Sequence, residues 1–135
     1  MKHMLLIKIK AVDIPFAGDW VQRACIDLGM DKTSAMQVMT CVVEGINNCV
    51  EHAYSERDGE VTLSVWEESG EVRVRIVDHG QPIPLREIPD DVLDFQDPHA
   101  ESGRGLAIMR AWMDEVTITH SESTNTLFMA KRLQS

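Results

Sequence analysis

The sequence predicts an α+β fold, a two-layer sandwich in which helices cover one face of a mostly antiparallel sheet. Two observations predict it: the strands after the long central helix are joined by hairpin-like turns, and regular strand–helix alternation is absent. The chain has 135 residues, of which 44% are hydrophobic. That length suits one domain with a real core, so we expect a single domain over residues 1–135.

The first elements are a strand and a short helix. Alternating residues predict a strand over residues 5–12, which Pro15 and Gly18 are expected to interrupt. Apolar residues at spacings of four then predict a helix over residues 20–28, with Gly29 as its stop signal.

The long central helix follows. Asp31, Thr33 and Ser34 offer side chains that can cap its N-terminus. Apolar residues then recur at steps of three and four, which is typical of a helix face in a core. The members of this stripe are Met36, Met39, Val43, Ile46, Val50 and Ala53.

The second half of the chain is predicted to contain four strands, one helix and a long loop. Alternation predicts strands over residues 61–66 and 72–77, joined by a hairpin at residues 67–70. The proline-interrupted and acidic residues 81–102 predict a functional, lid-like loop. The remaining elements are a helix over residues 106–113, a strand over 114–119, a turn over 121–125 and a strand over 126–131.

Charge and composition exclude several classes of protein. The formal net charge is −9, which argues against non-specific binding to nucleic acid or to an anionic membrane. No apolar run is long enough for a membrane span, and the N-terminus does not resemble a signal peptide. Cys25, Cys41 and Cys49 contain no Cys-x-x-Cys pair, so we expect reduced, buried thiols in a cytoplasmic protein.

A polar row on the central helix is the first candidate site. Glu44, Asn48 and His52 are four residues apart, so on a helix they share one face. An amide oxygen can help hold Mg²⁺ together with substrate phosphates, a carboxylate can activate a hydroxyl or water, and an imidazole can donate to phosphate. The alternative is an ordinary solvated face.

Two further motifs have the same ambiguity. Asp78 ends a strand, where its carboxylate could accept from the amine of adenine, and Gly80 would let backbone approach the base; the alternative is a plain turn. Residues 103–106, Gly-Arg-Gly-Leu, open a predicted helix whose free N–H groups could bind phosphate. They do not form the dinucleotide-binding fingerprint or a P-loop.

Together these motifs resemble the ATPase/kinase superfamily that includes gyrase, the Hsp90 chaperone, histidine kinases and MutL (GHKL). Within it the chain is most similar to the anti-sigma-factor serine kinases. The resemblance spans nearly the whole chain and implies the Bergerat-type ATP-binding fold. The matching segments are the N-box over residues 44–54, the first glycine box Asp78-His-Gly80-Gln-Pro82, the second glycine box Ser102-Gly103-Arg104-Gly105-Leu106, and Thr126-Leu127 in the last strand.

The resemblance implies a role for each matching residue. Glu44 would be the general base, Asn48 the Mg²⁺ ligand and Asp78 the adenine reader, with residues 81–102 as the ATP lid. His52 would donate to phosphate, and Thr126 would lie near the adenine. The other nucleotide-binding residues would be Gly80, Pro82, Gly103, Arg104, Gly105 and Leu106. Some relatives carry an arginine just before the Ser-Gly pair to meet the γ-phosphate, where this chain has Glu101.

The function implied is an ATP- and Mg²⁺-dependent serine/threonine-protein kinase. It would phosphorylate an anti-sigma-factor antagonist of the STAS type, sequester a sigma factor and form a homodimer. An alternative is a nucleotide-binding switch module with little turnover. A third is the catalytic half of a histidine kinase, but the chain lacks a dimerisation helix pair with an acceptor histidine.

Overall fold

The computed structural model describes residues 2–8, 14–48, 60–78, 101–121 and 124–133; for residues 5–8 and 101–104 it describes the backbone alone. These residues form five strands and three helices. In chain order they are β1 (Lys2–Lys8), α1 (Ile14–Asp27), α2 (Lys32–Asn48), β2 (Glu60–Glu68), β3 (Glu71–Asp78), α3 (Glu101–Trp112), β4 (Glu115–Ser121) and β5 (Thr124–Arg132).

The five strands form one sheet in the order β1-β2-β3-β5-β4, and every neighbouring pair is antiparallel. The predicted fold class is therefore confirmed. The β2–β3 hairpin is tighter than the sequence predicted, because Glu68 and Glu71 still pair as strand residues. Its turn consists of Ser69 and Gly70, which have positive φ angles of 55° and 78°. Positive φ at both turn residues is typical of a two-residue hairpin turn, which suits the twist of the strands.

The helices cover one face of this sheet and enclose the core. The predicted alternation of β2 and β3 is confirmed, since their alternate residues are buried. The buried apolar residues of these two strands are Val61, Leu63, Val65, Val72, Val74 and Ile76. From the helix side, Ile46 of α2 and Met109 of α3 are also fully buried. Each such side chain contributes about 1.5–3 kcal/mol by leaving water.

Helix α1 begins earlier than the sequence predicted. Pro15 and Gly18 were expected to break the chain, but both lie inside α1. Pro15 is in the first turn, where a missing N–H costs no helical hydrogen bond. Gly18 is buried against α2, and a Cβ there would lie 3.2 Å from Val43 Cγ2. The glycine therefore permits close helix packing instead of ending a helix.

Helix α2 begins as predicted, but its core face is rotated from the predicted stripe. Asp31 caps it, because the Ser34 N–H donates to Asp31 Oδ1 at 2.7 Å. Of the predicted stripe, Ile46 is fully buried while Met36 is 49% exposed. The buried face consists of Ser34, Ala35, Val38, Cys41, Val42, Gly45 and Ile46. The predicted stripe does not match this buried face because α2 packs on both the sheet and α1, so its buried surface is wider than one stripe. The last two residues of the predicted stripe, Val50 and Ala53, lie outside the described residues.

The last elements are also longer than predicted. Helix α3 begins at Glu101, whereas residue 106 was expected, and β5 begins at Thr124, so Asn125 belongs to a strand and not to a turn. The lid-like loop predicted for residues 81–102 lies outside the described residues except for its last two.

The cysteines that the structure describes agree with the expectation of buried thiols. Cys25 and Cys41 are free and buried, and burial raises the pKa of each thiol to about 12. Cys49 lies outside the described residues. Among the helices of the described ranges, none is long and apolar enough to cross a membrane.

Candidate active site

The first cluster of the candidate site lies where α3 meets α2. Glu44 and Asn48 are one turn apart on α2, and both side chains are half-buried. The backbone of Gly105, in α3, lies against them: a Cβ built there would be 3.2 Å from Glu44 Oε2 and 3.6 Å from Asn48 Nδ2. The fold therefore brings the carboxylate, the amide and the second turn of α3 together. Residues 103–106 were predicted to open this helix, but it begins at Glu101. A larger residue at position 105 would press on both side chains.

Gly45 explains how α2 reaches this position. A Cβ at Gly45 would lie 2.8 Å from Leu127 Cδ2 and 3.0 Å from Ile76 Cδ1, closer than such atoms pack. The helix therefore sits directly on β3 and β5 at the residue next to Glu44. This close approach fixes how far the Glu44–Asn48 face stands from the sheet.

Asp78 lies at the end of β3, in the central part of the sheet. Asp78 and Asn125 are both buried, with 2% and 3% of their surfaces exposed. Nδ2 of Asn125 donates a hydrogen bond of 2.9 Å to Oδ1 of Asp78. The two residues are direct cross-strand partners on β3 and β5. The next cross-strand pair on the same face is Ile76 and Leu127, and Gly45 of α2 packs against both. The Asp78–Asn125 pair therefore lies two residues, or about 7 Å, along the strands from the contact of α2 with the sheet.

His120 extends the polar row onto β4. It is the cross-strand partner of Asn125, and its Nδ1 lies 2.9 Å from Asn125 Oδ1 and 3.1 Å from the Thr124 carbonyl oxygen. Both oxygens can only accept, so Nδ1 carries the proton and donates. Three neighbouring strands therefore present His120, Asn125 and Asp78 in one hydrogen-bonded row.

The chain is similar in sequence to a known protein family and to named relatives. The family described as the histidine kinase-like ATPase domain matches residues 10–131. The chain belongs to this family. It is also 36% identical over 113 residues to an anti-sigma F factor of Bacillus velezensis, covering 82% of this chain and 76% of that protein. An anti-sigma F factor of Geobacillus kaustophilus is 32% identical over 111 residues, covering 81% and 75%.

Solved structures agree with the ATPase fold. The RsbU and RsbW domains of Rv1364c from Mycobacterium tuberculosis match with a TM-score of 0.72 at 18% identity. The match covers 98% of this chain and 32% of that chain. The catalytic domain of histidine kinase ThkA matches with a TM-score of 0.60 at 14% identity, covering 96% of each chain. Together with the family match, these likenesses identify the fold as that of an ATP-binding domain of the histidine kinase-like type.

Two other predicted site residues, Leu106 and Thr126, lie among the described residues, but neither is shown beside Glu44, Asn48 or Asp78. Leu106 is 8% exposed and belongs to the core cluster, so it fixes α3. Thr126 pairs with Val77, and because side chains alternate along a strand, it points to the sheet face opposite Asp78. Asn125, not Thr126, therefore lies beside the predicted adenine reader.

The remaining predicted residues cannot be placed in the site. His52, Gly80 and Pro82 lie outside the described residues. Gly103 and Arg104 lie in α3 by their backbone, and the Arg104 side chain is outside the described part.

The ATPase family implies a divalent metal, and the donor set fits one held mainly by substrate. Within the described ranges no group of three or more His, Cys, Asp or Glu side chains is arranged to bind a metal. Mg²⁺ in phosphate sites typically keeps several waters and takes one or two protein oxygens together with phosphate oxygens. The amide of Asn48 can supply one such oxygen, and the Glu44 carboxylate is one turn away.

Sequence reasoning missed three residues of this site: Asn125, Gly45 and His120, which lies one residue beyond the strand predicted over residues 114–119. Asn125 was assigned to a turn, because Ser-Glu-Ser-Thr-Asn is rich in turn-forming residues. Gly45 was overlooked beside its charged neighbour. A glycine in the middle of a strong helical pattern is a signal of close packing, and it could have indicated that α2 touches the sheet there.

Proposed function

We propose that the protein is an ATP-dependent serine/threonine-protein kinase that acts as an anti-sigma factor. The observation that carries the proposal is the contact between Gly105 of α3 and the Glu44–Asn48 pair of α2. It joins a general base candidate, a metal ligand candidate and a glycine in the second turn of a helix. Similarity to proteins named anti-sigma F factor supports the biological role.

In this proposal Asn48 and Glu44 have separate tasks. The Asn48 side-chain oxygen holds Mg²⁺, which when bound neutralises charge on the β- and γ-phosphates. Glu44 accepts the proton of a serine or threonine hydroxyl as that oxygen forms its bond to the γ-phosphorus. The bond from the γ-phosphorus to the bridging oxygen breaks, and ADP leaves with that electron pair.

Nucleotide recognition is proposed for the other end of the site. Asp78 accepts a hydrogen bond from the exocyclic amine of adenine, in a part of the sheet that excludes water. Gly103 lies in the first turn of α3, where backbone N–H groups have no helical acceptor and can donate to the phosphates. Arg104 would contact the phosphates through its guanidinium, and Gly105, in the next turn, leaves room beside Glu44. We assign supporting contacts to His52, Gly80 and Pro82 from their place in the sequence motifs, and Leu106 anchors the helix.

The proposed partners are proteins. They are a sigma factor, which the protein sequesters, and a STAS-type antagonist, which it phosphorylates, with a homodimer of single-domain chains as the working unit. A net charge of −9 suits partners with basic surfaces and disfavours direct binding to nucleic acid. We place this activity in the cytoplasm, where a sigma factor is available.

A second candidate is a nucleotide-binding switch with little or no phosphoryl transfer. Glu101 favours it, since a carboxylate stands where some relatives carry an arginine for the γ-phosphate. In the kinase proposal Arg104 supplies that positive charge instead. The two readings differ in turnover and agree on ATP binding.

The test is phosphoryl transfer to a protein. The chain is incubated with γ-labelled ATP, Mg²⁺ and candidate antagonists, and label on a serine or threonine of one of them supports the kinase. Tight ATP binding with no labelled partner would favour the switch. Absence of ATP binding would contradict both candidates.

A further inference from the structure

The polar row His120–Asn125–Asp78 has a defined direction of hydrogen bonding. Nδ1 of His120 donates to Oδ1 of Asn125, and Nδ2 of Asn125 donates to Oδ1 of Asp78. A reversed amide would put its oxygen against the carboxylate and its N–H₂ against the His120 N–H. Both contacts would then be repulsive, so the row admits one orientation of the amide.

The row is also fixed by the sheet. Asp78 lies between Val61 on β2, which is fully buried, and Asn125 on β5. The valine offers no polar atom on its side chain, so on this row the side chain that orients the carboxylate comes from β5. The Asn125 amide is itself held by His120 from β4.

We infer that Asn125 and His120 are positioning residues that hold the Asp78 carboxylate in the orientation that selects a purine with an exocyclic amine. This inference rests on the proposed role of Asp78 as the reader of adenine. A carboxylate has about four lone-pair sites, so a bond from Asn125 to one oxygen is compatible with an amine donor to the same group. Hydrogen bonds depend steeply on angle, so a carboxylate that rotates loses discrimination.

His120 acts through Asn125 and not on the nucleotide. Its donated N–H keeps the nitrogen of the amide facing Asp78. Removing the imidazole lets the Asn125 amide turn over, and the carboxylate then loses the Asn125 hydrogen bond for part of the time. Replacing His120 should therefore lower the preference for an amine-bearing purine, as replacing Asn125 does, but by a smaller factor.

The experiment compares two nucleotides that differ only in the amine. Calorimetry measures the Kd values of ATP and of purine riboside triphosphate, which lacks the exocyclic amine, with Mg²⁺ present. Variants are Asn125→Leu, which keeps the approximate size, and His120→Leu at an exposed position. Thr117→Val is the control, since Thr117 is exposed on β4 and lies on the face of the sheet opposite Asn125.

The readout is the ratio of the two Kd values, which a general loss of packing would not change. We expect the parent and Thr117→Val to prefer ATP. Asn125→Leu should lose about tenfold or more of that preference, while its Kd for the amine-free nucleotide stays close to the parent value. His120→Leu should lose about two- to tenfold. Circular dichroism confirms that each variant is folded.

The outcomes that overturn the inference are distinct from those that overturn the proposed function. The inference is overturned if Asn125→Leu is folded and its ratio of the two Kd values equals that of the parent protein. If Asn125→Leu does not fold, the inference is overturned when His120→Leu has the parent's ratio. A parent protein that binds both nucleotides equally removes the adenine-reading role of Asp78, and the inference with it. A parent protein that binds neither removes the proposed nucleotide site as a whole.

Discussion

The backbone of Gly105 lies against the carboxylate of Glu44, so close that a Cβ on the glycine would be 3.2 Å from Oε2. Gly105→Ala therefore requires the Glu44 side chain to move by a few tenths of an ångström. The helix itself gains about 1 kcal/mol of intrinsic propensity from the alanine, so stability should not fall. We expect phosphoryl transfer to drop about tenfold or more, because catalysis depends on sub-ångström placement of the base. Transfer at the parent rate would contradict the contact.

Gly45→Ala should have the opposite pattern, losing stability. Its Cβ would meet Leu127 and Ile76, which belong to the sheet and leave little room to move. Overpacking costs about 1–3 kcal/mol, which exceeds the roughly 1 kcal/mol gained in helix propensity. Urea unfolding should show a lower midpoint at an unchanged slope. Gly105→Ala is the matched control, being the same substitution in another helix, and its midpoint should not fall.

The cap of α2 gives a prediction about pH. The backbone N–H of Ser34 donates to Asp31, and this bond, followed by the one from the Ser34 side chain, lowers the pKa of that carboxyl. A lowered pKa means that the stabilisation is present above the ordinary value for an aspartate and is lost as the pH falls through the folded-state value. Asp31→Ala should therefore melt below the parent at neutral pH, and the difference should narrow as the pH falls below the ordinary aspartate value of about 3.9.

The matched variant for this cap is Asp31→Asn. An asparagine also caps a helix but does not titrate in this range. Its melting temperature relative to Asp31→Ala should therefore stay nearly constant over the same pH interval. A parent–Ala difference that is independent of pH would show that the charge of Asp31 has no part in the cap.

The sequence predicted what depends on local patterns. Alternation placed the inward faces of β2 and β3 correctly, and Asp31 was recognised as a cap, since both signals involve residues close in sequence. The buried face of α2 differs from the predicted one because α2 contacts both α1 and the sheet. A single hydrophobic periodicity in the sequence predicts only one contact face. Pro15 and Gly18 were expected to break the chain because proline and glycine have low helix propensities. These propensities do not take account of a proline in the first turn or of a glycine where two helices pack closely, and both are tolerated.

The candidate site shows the same division. Glu44 and Asn48 were predicted as neighbours from their spacing alone, and they are. The contact with Gly105 joins residues about sixty positions apart, so it was available only through the family resemblance. Thr126 was placed near the adenine by the family resemblance, and Asn125 was assigned to a turn because the start of β5 was predicted two residues too late. In a strand the next residue lies on the other face, so only Asn125 lies beside Asp78.

Asp78→Asn tests the recognition of adenine. The carboxylate is almost fully buried, so an amine facing an amide N–H₂ there would have no compensating acceptor. We expect ATP affinity to fall by about 1–3 kcal/mol, measured by calorimetry. Thr117→Val, at an exposed residue of β4 on the opposite face of the sheet, should bind ATP as the parent does. Near-normal ATP affinity in Asp78→Asn would remove the adenine role from Asp78.

Glu44 and Asn48 share a helix face, and substitutions should separate their tasks. Asn48→Ala removes the oxygen proposed to hold Mg²⁺, so Mg·ATP binding and transfer should be lost together. Glu44→Gln keeps the size of the side chain and removes the base, so Mg·ATP binding should persist. Transfer to the antagonist should fall by about 10²–10⁴-fold, the usual contribution of a positioned base.

The control for Glu44→Gln is Glu115→Gln, the same change at an exposed residue of β4, which pairs with Ala130 at the far end of the strand from His120. It should transfer phosphate at the parent rate. Binding to the sigma factor should survive in Glu44→Gln, because sequestration needs a surface and not a chemical step. If Glu44→Gln labels the antagonist as fast as the parent, the base must be another group. If it loses Mg·ATP binding as well, Glu44 holds the nucleotide or its metal, and the division of labour with Asn48 is wrong.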